Sequence, residues 1–194
     1  MEKIGFVSKA SAKLKHGCNR ITKLCINSLH FADREIVEER NDVIQPICAG
    51  VIITKDKKVL VVNKTAKSTG KVSPEKDKSL LYIGGHLSID DMQRSNIGTF
   101  KSGMKREILE EIGLDIKESC IKNPIVTYTP TTEKSAKHCG VIFPVEIEKP
   151  FNTTFTDGKC KFVDISNLKN IHNFEPWSEI ILKEIINKQI SPIG

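Results

Sequence analysis

The stretch KREILEEIGL, residues 105–114, places an arginine and three glutamates within six residues. On a helix, spacings of three and four residues bring Glu107, Glu110 and Glu111 onto one face. Like charges at these spacings repel by roughly 0.2–0.5 kcal/mol per pair unless a cation lies among them. Carboxylate oxygens are hard ligands, which Mg²⁺ and Mn²⁺ prefer. The stretch therefore predicts an acidic helix face that binds a divalent metal ion; the alternative is a solvated helix surface, which an isolated E-x-x-E-E pattern favours.

The same segment carries the signals of a packed helix. Met104, Ile108 and Ile112 recur every four residues and predict an apolar stripe that faces the core. Gly113 is suited to a left-handed cap at the C-terminus, and Thr99 or Ser102 is expected to cap the N-terminus. One helix thus presents a core face and an acidic face.

Six apolar, β-branched runs flank this helix and predict strands. They are residues 47–54, 58–64, 80–85, 124–130, 139–148 and 159–165. The run 175–188 begins with a proline suited to the first helical position and predicts a closing helix packed on the sheet. Strands, a helix, more strands and a final helix indicate an α+β fold, arranged as an α/β/α sandwich.

The N-terminal region differs from the rest in charge. Residues 1–30 hold six Lys and Arg side chains against one Glu, and the helical spacing of apolar residues within 18–31 predicts a short amphipathic helix. We therefore divide the chain into a basic N-terminal arm, residues 1–44, and a main domain, residues 45–190. Such an arm suits phosphates, so nucleic acid is a weakly supported partner, although a solvated face is the more frequent explanation.

Composition excludes some classes of protein. No apolar run approaches the ~20 residues of a membrane helix, and the N-terminus lacks the apolar core of a signal peptide. The six cysteines are scattered without a C-x-x-C pair, which favours reduced thiols. Residues 65–79 are rich in Lys, Ser, Gly and Pro and predict a mobile surface loop. These features predict a cytoplasmic protein with no membrane partner.

The run R-E-I-L-E-E-I-G-L, with Gly84 and Gly85 at a strand end before it, resembles the signature of the Nudix (MutT-like) hydrolases. That signature is G-x5-E-x7-R-E-U-x-E-E-x-G-U, where U is aliphatic. All seven fixed or aliphatic positions of its second half match residues 106–114. The resemblance implies a Nudix fold, with a mixed β-sheet flanked by helices.

The first half of the signature departs from the family. The sixth residue after Gly85 is Asp91 where the family has glutamate, and 14 residues separate Asp91 from Arg106 instead of seven. Residues 92–103 must supply this seven-residue insertion, which we expect to form a longer loop. An insertion of that length favours Asp90 and Asp91 as solvated turn residues. The alternative is that Asp91 keeps the family role as an auxiliary carboxylate.

The resemblance also implies an activity and a set of site residues. It implies hydrolysis of a phosphoanhydride bond in a nucleoside diphosphate linked to a second group, X, with Mg²⁺ or Mn²⁺ as cofactor. Glu107, Glu110 and Glu111 match the family's helix carboxylates, of which the last two are its most regular metal ligands. Arg106 matches the arginine that orients them, and the carbonyl of Gly85 matches a backbone ligand.

Two further residues are weaker candidates. His86 follows the paired glycines and suits a contact with the substrate, while a structural role is the alternative. Glu133 lies on a loop between strands where some Nudix enzymes place a general base, and solvent exposure without function is equally consistent with its position. The competing function is a Nudix-fold module that binds a nucleotide or RNA without turnover.

Overall fold

The computed structural model describes residues 2–24, 28–64, 78–156 and 158–186. Within these residues, ten strands form a mixed sheet with helices packed against it. The strands are β1 (Lys3–Ser8), β2 (Gly17–Asn19), β3 (His30–Asp33), β4 (Val43–Thr54), β5 (Lys58–Lys64), β6 (Ser79–Leu80), β7 (Ile83–His86), β8 (Ile125–Tyr128), β9 (His138–Ile147) and β10 (Gly158–Asp164). The helices are α1 (Arg34–Glu39), α2 (Asn96–Ile112) and α3 (Pro176–Ile181). The predicted α+β class is confirmed.

Strand β4 is the centre of the sheet. It pairs in parallel with β9 from Gln45↔His138 to Thr54↔Ile147. Its other edge pairs in turn with β1, β7 and β5, all antiparallel. The main path runs β10-β5-β4-β9-β8-β2. Each predicted strand corresponds to an observed one, except that the run 80–85 is divided between β6 and β7.

Helix α2 packs against β4 and β7. Phe100, Met104 and Ile108 are fully buried, so the predicted apolar stripe is confirmed and extends further towards the N-terminus. Gly113 ends the helix with a φ of 69°, the left-handed cap that the sequence predicts. The packing of this one helix determines where the acidic residues lie relative to β7.

The insertion does not form the long loop that we expected. Helix α2 begins at Asn96, where the side chain of Ser95 caps it by accepting a hydrogen bond from the Gly98 amide. The prediction of Thr99 or Ser102 as the cap is wrong, because most of the insertion is helical. Thr99 is buried and its hydroxyl accepts a hydrogen bond from the Gln93 amide, which fixes residues 92–95 against the first turn.

The N-terminal region also differs from its prediction. Within 18–31, the described residues form the end of β2, a 3-10 turn at Ile21–Leu24 and the start of β3, so no amphipathic α-helix is present there. Strand β2 pairs with β8 at the edge of the sheet, and β1 pairs with β3 and β4. The first 44 residues thus contribute strands to the sheet, and the domain boundary after residue 44 stays a prediction.

The closing helix agrees with its prediction over the residues that the structure describes. Pro176 occupies the first turn of α3, and the helix continues as a π-helical turn at Leu182–Ile186. Residues 187 and 188 of the predicted closing helix and most of the predicted loop 65–79 lie outside the described residues. Cys48, Cys120, Cys139 and Cys160 are free thiols. No described helix is both long and apolar enough to cross a membrane.

The surroundings of Gly84 show how closely β7 approaches β4. A Cβ at this position would lie 2.1 Å from the carbonyl oxygen of Cys48 and 2.6 Å from the Cα of Ala49. Both are backbone atoms of the central strand, which cannot move aside without breaking its pairing. We expect Gly84→Ala to lower the free energy of unfolding by at least about 3 kcal/mol in urea denaturation. Gly17→Ala is the comparison for glycine conformation without steric overlap, because its φ of 103° strains alanine by roughly 1–2 kcal/mol while a Cβ there meets nothing within 4 Å. A loss of stability at Gly84 no greater than at Gly17 would contradict this packing.

Candidate functional site

Arg106 lies at the centre of an acidic cluster formed by Asp91, Glu107 and Glu110. Its Nε and one terminal nitrogen bond the two carboxylate oxygens of Asp91, each at 2.9 Å. Its other terminal nitrogen donates to Glu107 at 2.8 Å and to Glu110 at 3.1 Å. The guanidinium also donates to the carbonyl of His86 at 3.0 Å, which ties α2 to the end of β7. Hydrogen bonds to Asp91 are the largest cause of the raised pKa of Arg106, so it remains charged.

Asp91 is buried, with 3% of its surface exposed. Besides the bidentate contact with Arg106, one of its oxygens accepts a hydrogen bond from the Ser88 amide at 2.8 Å, in a capping box that closes a 3-10 turn at Ile89–Asp91. The prediction that Asp91 is a solvated turn residue is therefore wrong. Asp90, in contrast, is exposed.

The path of residues 92–95 explains how Asp91 reaches Arg106 despite the insertion. Arg106 lies ten residues beyond the first residue of α2, or about 15 Å along the helix axis. The five steps from Asp91 to Asn96 span at most about 17 Å when extended. The segment therefore runs back along the first turns of α2 and returns Asp91 to the level of Arg106. A Cβ on Gly103 would lie 3.0 Å from Asp91 Oδ2, which places the carboxylate against the helix surface.

Glu107 lies directly over Gly85. A Cβ on Gly85 would come within 2.5 Å of the carboxylate carbon and both oxygens of Glu107, so only glycine leaves room for this carboxylate. Burial is the main cause of the raised pKa of Glu107, and the neighbouring carboxylates of Glu110 and Asp91 raise it further, while Arg106 lowers it. A cation close to this carboxylate would stabilise its charged form.

Glu110 and Glu111 complete the acidic face near the C-terminal end of α2. The Glu110 side chain is 58% exposed and reaches Arg106 from the solvent side. Glu111 is half-buried, and its backbone carbonyl accepts hydrogen bonds from the amide and hydroxyl of Thr156. Thr156 thus joins the last turn of α2 to the segment before β10. The structure brings the three predicted glutamates, Arg106 and Gly85 to one region.

The donor chemistry of this region fits a divalent metal ion. The carboxylates of Asp91, Glu107 and Glu110 contact the Arg106 guanidinium. This leaves two net negative charges next to the end of β7. All of the donors are oxygens, as Mg²⁺ and Mn²⁺ require. Glu107 and Glu110 nevertheless turn towards Arg106, and in the described part of the chain no three His, Cys, Asp or Glu side chains are grouped as a metal site. Metal binding would therefore need side-chain rotation, which the exposure of Glu110 allows.

A cavity of about 240 Å³ opens on the other side of Gly85. Its walls are aromatic, from Tyr82 and Trp177, and polar, from hydroxyls and two histidines. The polar lining comprises Thr129, Thr131, Thr132, Ser135, His86, His138, Lys134 and Glu175. Gly85 lines the cavity and lies against the Glu107 carboxylate, so the cavity and the acidic cluster meet at this residue.

His86 lines this cavity, and contacts with Gln45 and His138 hold its ring in place. Its Nε2 lies 3.0 Å from the side-chain oxygen of Gln45, which is fully buried in β4. The His138 ring packs edge-on against it at 5.6 Å and bonds the carbonyl of Lys134 through Nδ1. Burial is the main cause of the lowered pKa of His138. The substrate-binding role of His86 stays a prediction, and the structure gives the ring a fixed position for it.

Glu133 lies outside both features. Its side chain is 82% exposed, 3.8 Å from Lys137, and it does not line the cavity although its neighbours do. The role of Glu133 as a general base stays a prediction that this placement does not favour.

Sequence reasoning missed Glu175, which lines the cavity, and Gln45, which contacts His86 from within the sheet without lining the cavity. Gln45 is a polar residue in the otherwise apolar run of β4, and that contrast was the available signal. Glu175 caps α3 by accepting hydrogen bonds from the Trp177 and Ser178 amides. Neither residue is close in sequence to the acidic helix, so only the fold reveals their location.

Comparison with solved structures identifies the fold. Tm1382, a candidate Nudix hydrolase, has a TM-score of 0.73 at 22% identity, covering 96% of this chain and 99% of Tm1382. The NUDIX domain of Shewanella oneidensis NrtR, crystallised with ADP ribose, has a TM-score of 0.58 at 10% identity, covering 82% of this chain and 94% of that domain structure.

A third similar structure contains a metal ion. It is the bifunctional NMN adenylyltransferase/ADP ribose pyrophosphatase of Francisella tularensis in complex with AMP and a Mn ion. Its TM-score is 0.57 at 17% identity, over 75% of this chain and 42% of that protein. No family model matches the sequence, and no curated protein matches it. The chain has the Nudix fold, and the resemblance noted in the sequence is confirmed at that level.

Proposed function

We propose that this chain is a Nudix hydrolase, which cleaves a phosphoanhydride bond in a nucleoside diphosphate linked to a second group. One observation carries the proposal: Arg106 gathers Asp91, Glu107 and Glu110 beside Gly85, at the point where a cavity meets the acidic helix face. The matched second half of the Nudix signature contains three of these residues, Arg106, Glu107 and Glu110. Tm1382, NrtR and the Francisella enzyme share the fold that presents them.

We assign the metal ligands to Glu107, Glu110, Glu111 and the carbonyl of Gly85. A bound Mg²⁺ or Mn²⁺ would neutralise phosphate charge and lower the pKa of a water molecule that attacks phosphorus. One terminal nitrogen of Arg106 donates to both Glu107 and Glu110, which keeps the two carboxylates together at the face where a metal would bind. Asp91 has both oxygens engaged by Arg106, so we assign it the role of positioning that arginine and not of general base.

The cavity would hold the nucleotide part of the substrate. Tyr82 and Trp177 offer apolar ring surface, with ring centroids 5.8 Å apart, and the surrounding hydroxyls offer donors and acceptors for a base or ribose. His86 stands between this cavity and the acidic cluster, close to where the phosphates would pass. Walls of this kind exclude water from the nucleotide while leaving the phosphates at the acidic face.

The test is a panel of nucleotide substrates incubated with Mg²⁺, with Mn²⁺ and with EDTA. The panel includes ADP-ribose, NADH, nucleotide sugars, nucleoside triphosphates and dinucleoside polyphosphates, and products are separated by chromatography. We expect cleavage of at least one compound in the metal reactions and none with EDTA, because a metal held by the carboxylates is what would activate the attacking water. Binding of panel nucleotides without cleavage would contradict the proposal and support the competing function of a nucleotide-binding module.

A further inference from the structure

A second groove lies on the solvent side of helix α2. It is lined mainly by the inserted segment, with Gln93, Arg94, Ser95, Gly98, Lys101 and Ser102 on its walls. Lys105, Arg106, Leu109, Asp115 and Glu118 complete it. The insertion therefore does more than lengthen the helix: it builds one wall from residues 93–95 and the facing wall from the first turns of α2.

The groove carries uncompensated positive charge. Lys101 pairs with Glu118, and Arg106 is occupied by the acidic cluster. Neither Arg94 nor Lys105 forms an ion pair with an acidic group among the described residues, and Asp115 is the remaining acid of the lining. An arginine fork and a lysine ammonium that line the same groove suit the oxygens of a phosphate.

Arg106 connects this groove with the acidic cluster, since it lines the first and organises the second. On the helix, Glu110 lies roughly a third of a turn from the middle of the groove face. Around a helix whose diameter with side chains is about 10–12 Å, that separation is on the order of 10 Å. A phosphorylated sugar or a polyphosphate chain can bridge such a distance.

Building on the proposed function, we propose that the groove binds a phosphate carried by the X group of the substrate. The nucleotide lies in the cavity, the bond to be cleaved lies at the acidic face, and the far phosphate lies between Arg94 and Lys105. Substrates whose X group carries phosphate are then preferred over those whose X group is neutral. A phosphorylated sugar and a longer phosphate chain would each supply this distal phosphate, and both offer the same anionic oxygens.

The first experiment measures binding without turnover. Isothermal titration calorimetry with inorganic tripolyphosphate in EDTA at low salt measures anion binding away from the acidic face, because without metal that face repels the anion. We expect the double variant Arg94→Ser with Lys105→Ser to weaken binding by roughly tenfold or more. The control removes two exposed lysines elsewhere, Lys159→Ser with Lys169→Ser, for the same change of net charge. An unchanged affinity in the groove variant, or an equal loss in the control, would overturn the proposal.

The second experiment compares matched substrates. ADP-ribose and ADP-ribose 1″-phosphate differ only by one phosphate on the distal ribose, and diadenosine tetraphosphate offers the polyphosphate alternative. We expect the wild-type preference for one or both phosphate-bearing substrates over ADP-ribose, measured as a ratio of kcat/KM, to fall by roughly tenfold in the groove variant. The rate with ADP-ribose itself should not change.

The two experiments separate this inference from the proposed function. If no substrate is cleaved but tripolyphosphate binding depends on Arg94 and Lys105, the proposed hydrolysis fails and the anion site stands. If ADP-ribose is cleaved while the groove variant keeps both its tripolyphosphate affinity and its substrate ratio, the groove assignment fails and the hydrolase stands.

Discussion

Replacing Glu110 or Glu111 with glutamine is expected to reduce hydrolysis by roughly a hundredfold or more, with the fold intact. Glutamine keeps the size of the side chain and removes the charge that a divalent cation needs. Glu110 is largely exposed and Glu111 half-buried, so neither supports the core. The measurement is the initial rate of the best panel substrate as a function of Mg²⁺ concentration, with thermal unfolding followed by circular dichroism.

Glu179→Gln is the control, since it makes the same chemical change at an exposed position on α3. We expect that variant to match the wild type in both rate and Mg²⁺ dependence. Wild-type turnover in both Glu110→Gln and Glu111→Gln would show that the acidic face does not hold the metal, and the site assignment would be wrong.

Arg106→Lys is expected to lose at least roughly tenfold in rate although the positive charge remains. Lysine cannot make the paired contact with Asp91 and reach Glu107, Glu110 and the His86 carbonyl at the same time. The buried Asp91 would then keep fewer partners, and we expect the free energy of unfolding to fall by about 1–3 kcal/mol. Rate and urea denaturation are both measured, because a purely structural role would change stability without changing the Mg²⁺ dependence of the rate.

A double-mutant cycle with Asp91→Asn tests whether the two residues act as one unit. If Asp91 works through Arg106, the double variant should be little worse than the more severe single variant, with a coupling energy of about 1 kcal/mol or more. Additive losses would instead give Asp91 a function of its own, such as the auxiliary metal ligand of the family. Glu133→Gln serves as a further comparison and should leave the rate unchanged, given its exposure.

The acidic helix could be predicted from the sequence because its signals are local. The three glutamates, the apolar stripe and the glycine cap all lie within residues 104–113, and helical periodicity places them correctly whatever surrounds the helix. The strands were predictable for the same reason, since β-branched runs bounded by turn residues identify them without knowledge of their partners.

The position of Asp91 could not be predicted, because a sequence gives the length of an insertion and not its direction. Seven added residues were consistent with a loop leaving the helix, whereas the chain extends the helix and returns along it. The prediction of an amphipathic helix within residues 18–31 failed for a related reason. Of the apolar residues at helical spacing within 18–31, Ile21 and Leu24 lie in a 3-10 turn directly after β2, whose pairing with β8 outweighs the local helical preference.

The central position of β4 determines which part of the molecule opens first. Its backbone is paired on one edge by β9 over its full length and on the other by β1, β7 and β5, which come from distant parts of the chain. Amide hydrogens of β4 can therefore exchange with solvent only when the whole sheet unfolds. Helix α2 is held to the sheet by side chains and by the contacts of Arg106, so it can detach in a partial opening of lower free energy. Hydrogen exchange should then be slowest in β4 and faster in α2, and the acidic face would be lost while the sheet that supports it is still intact.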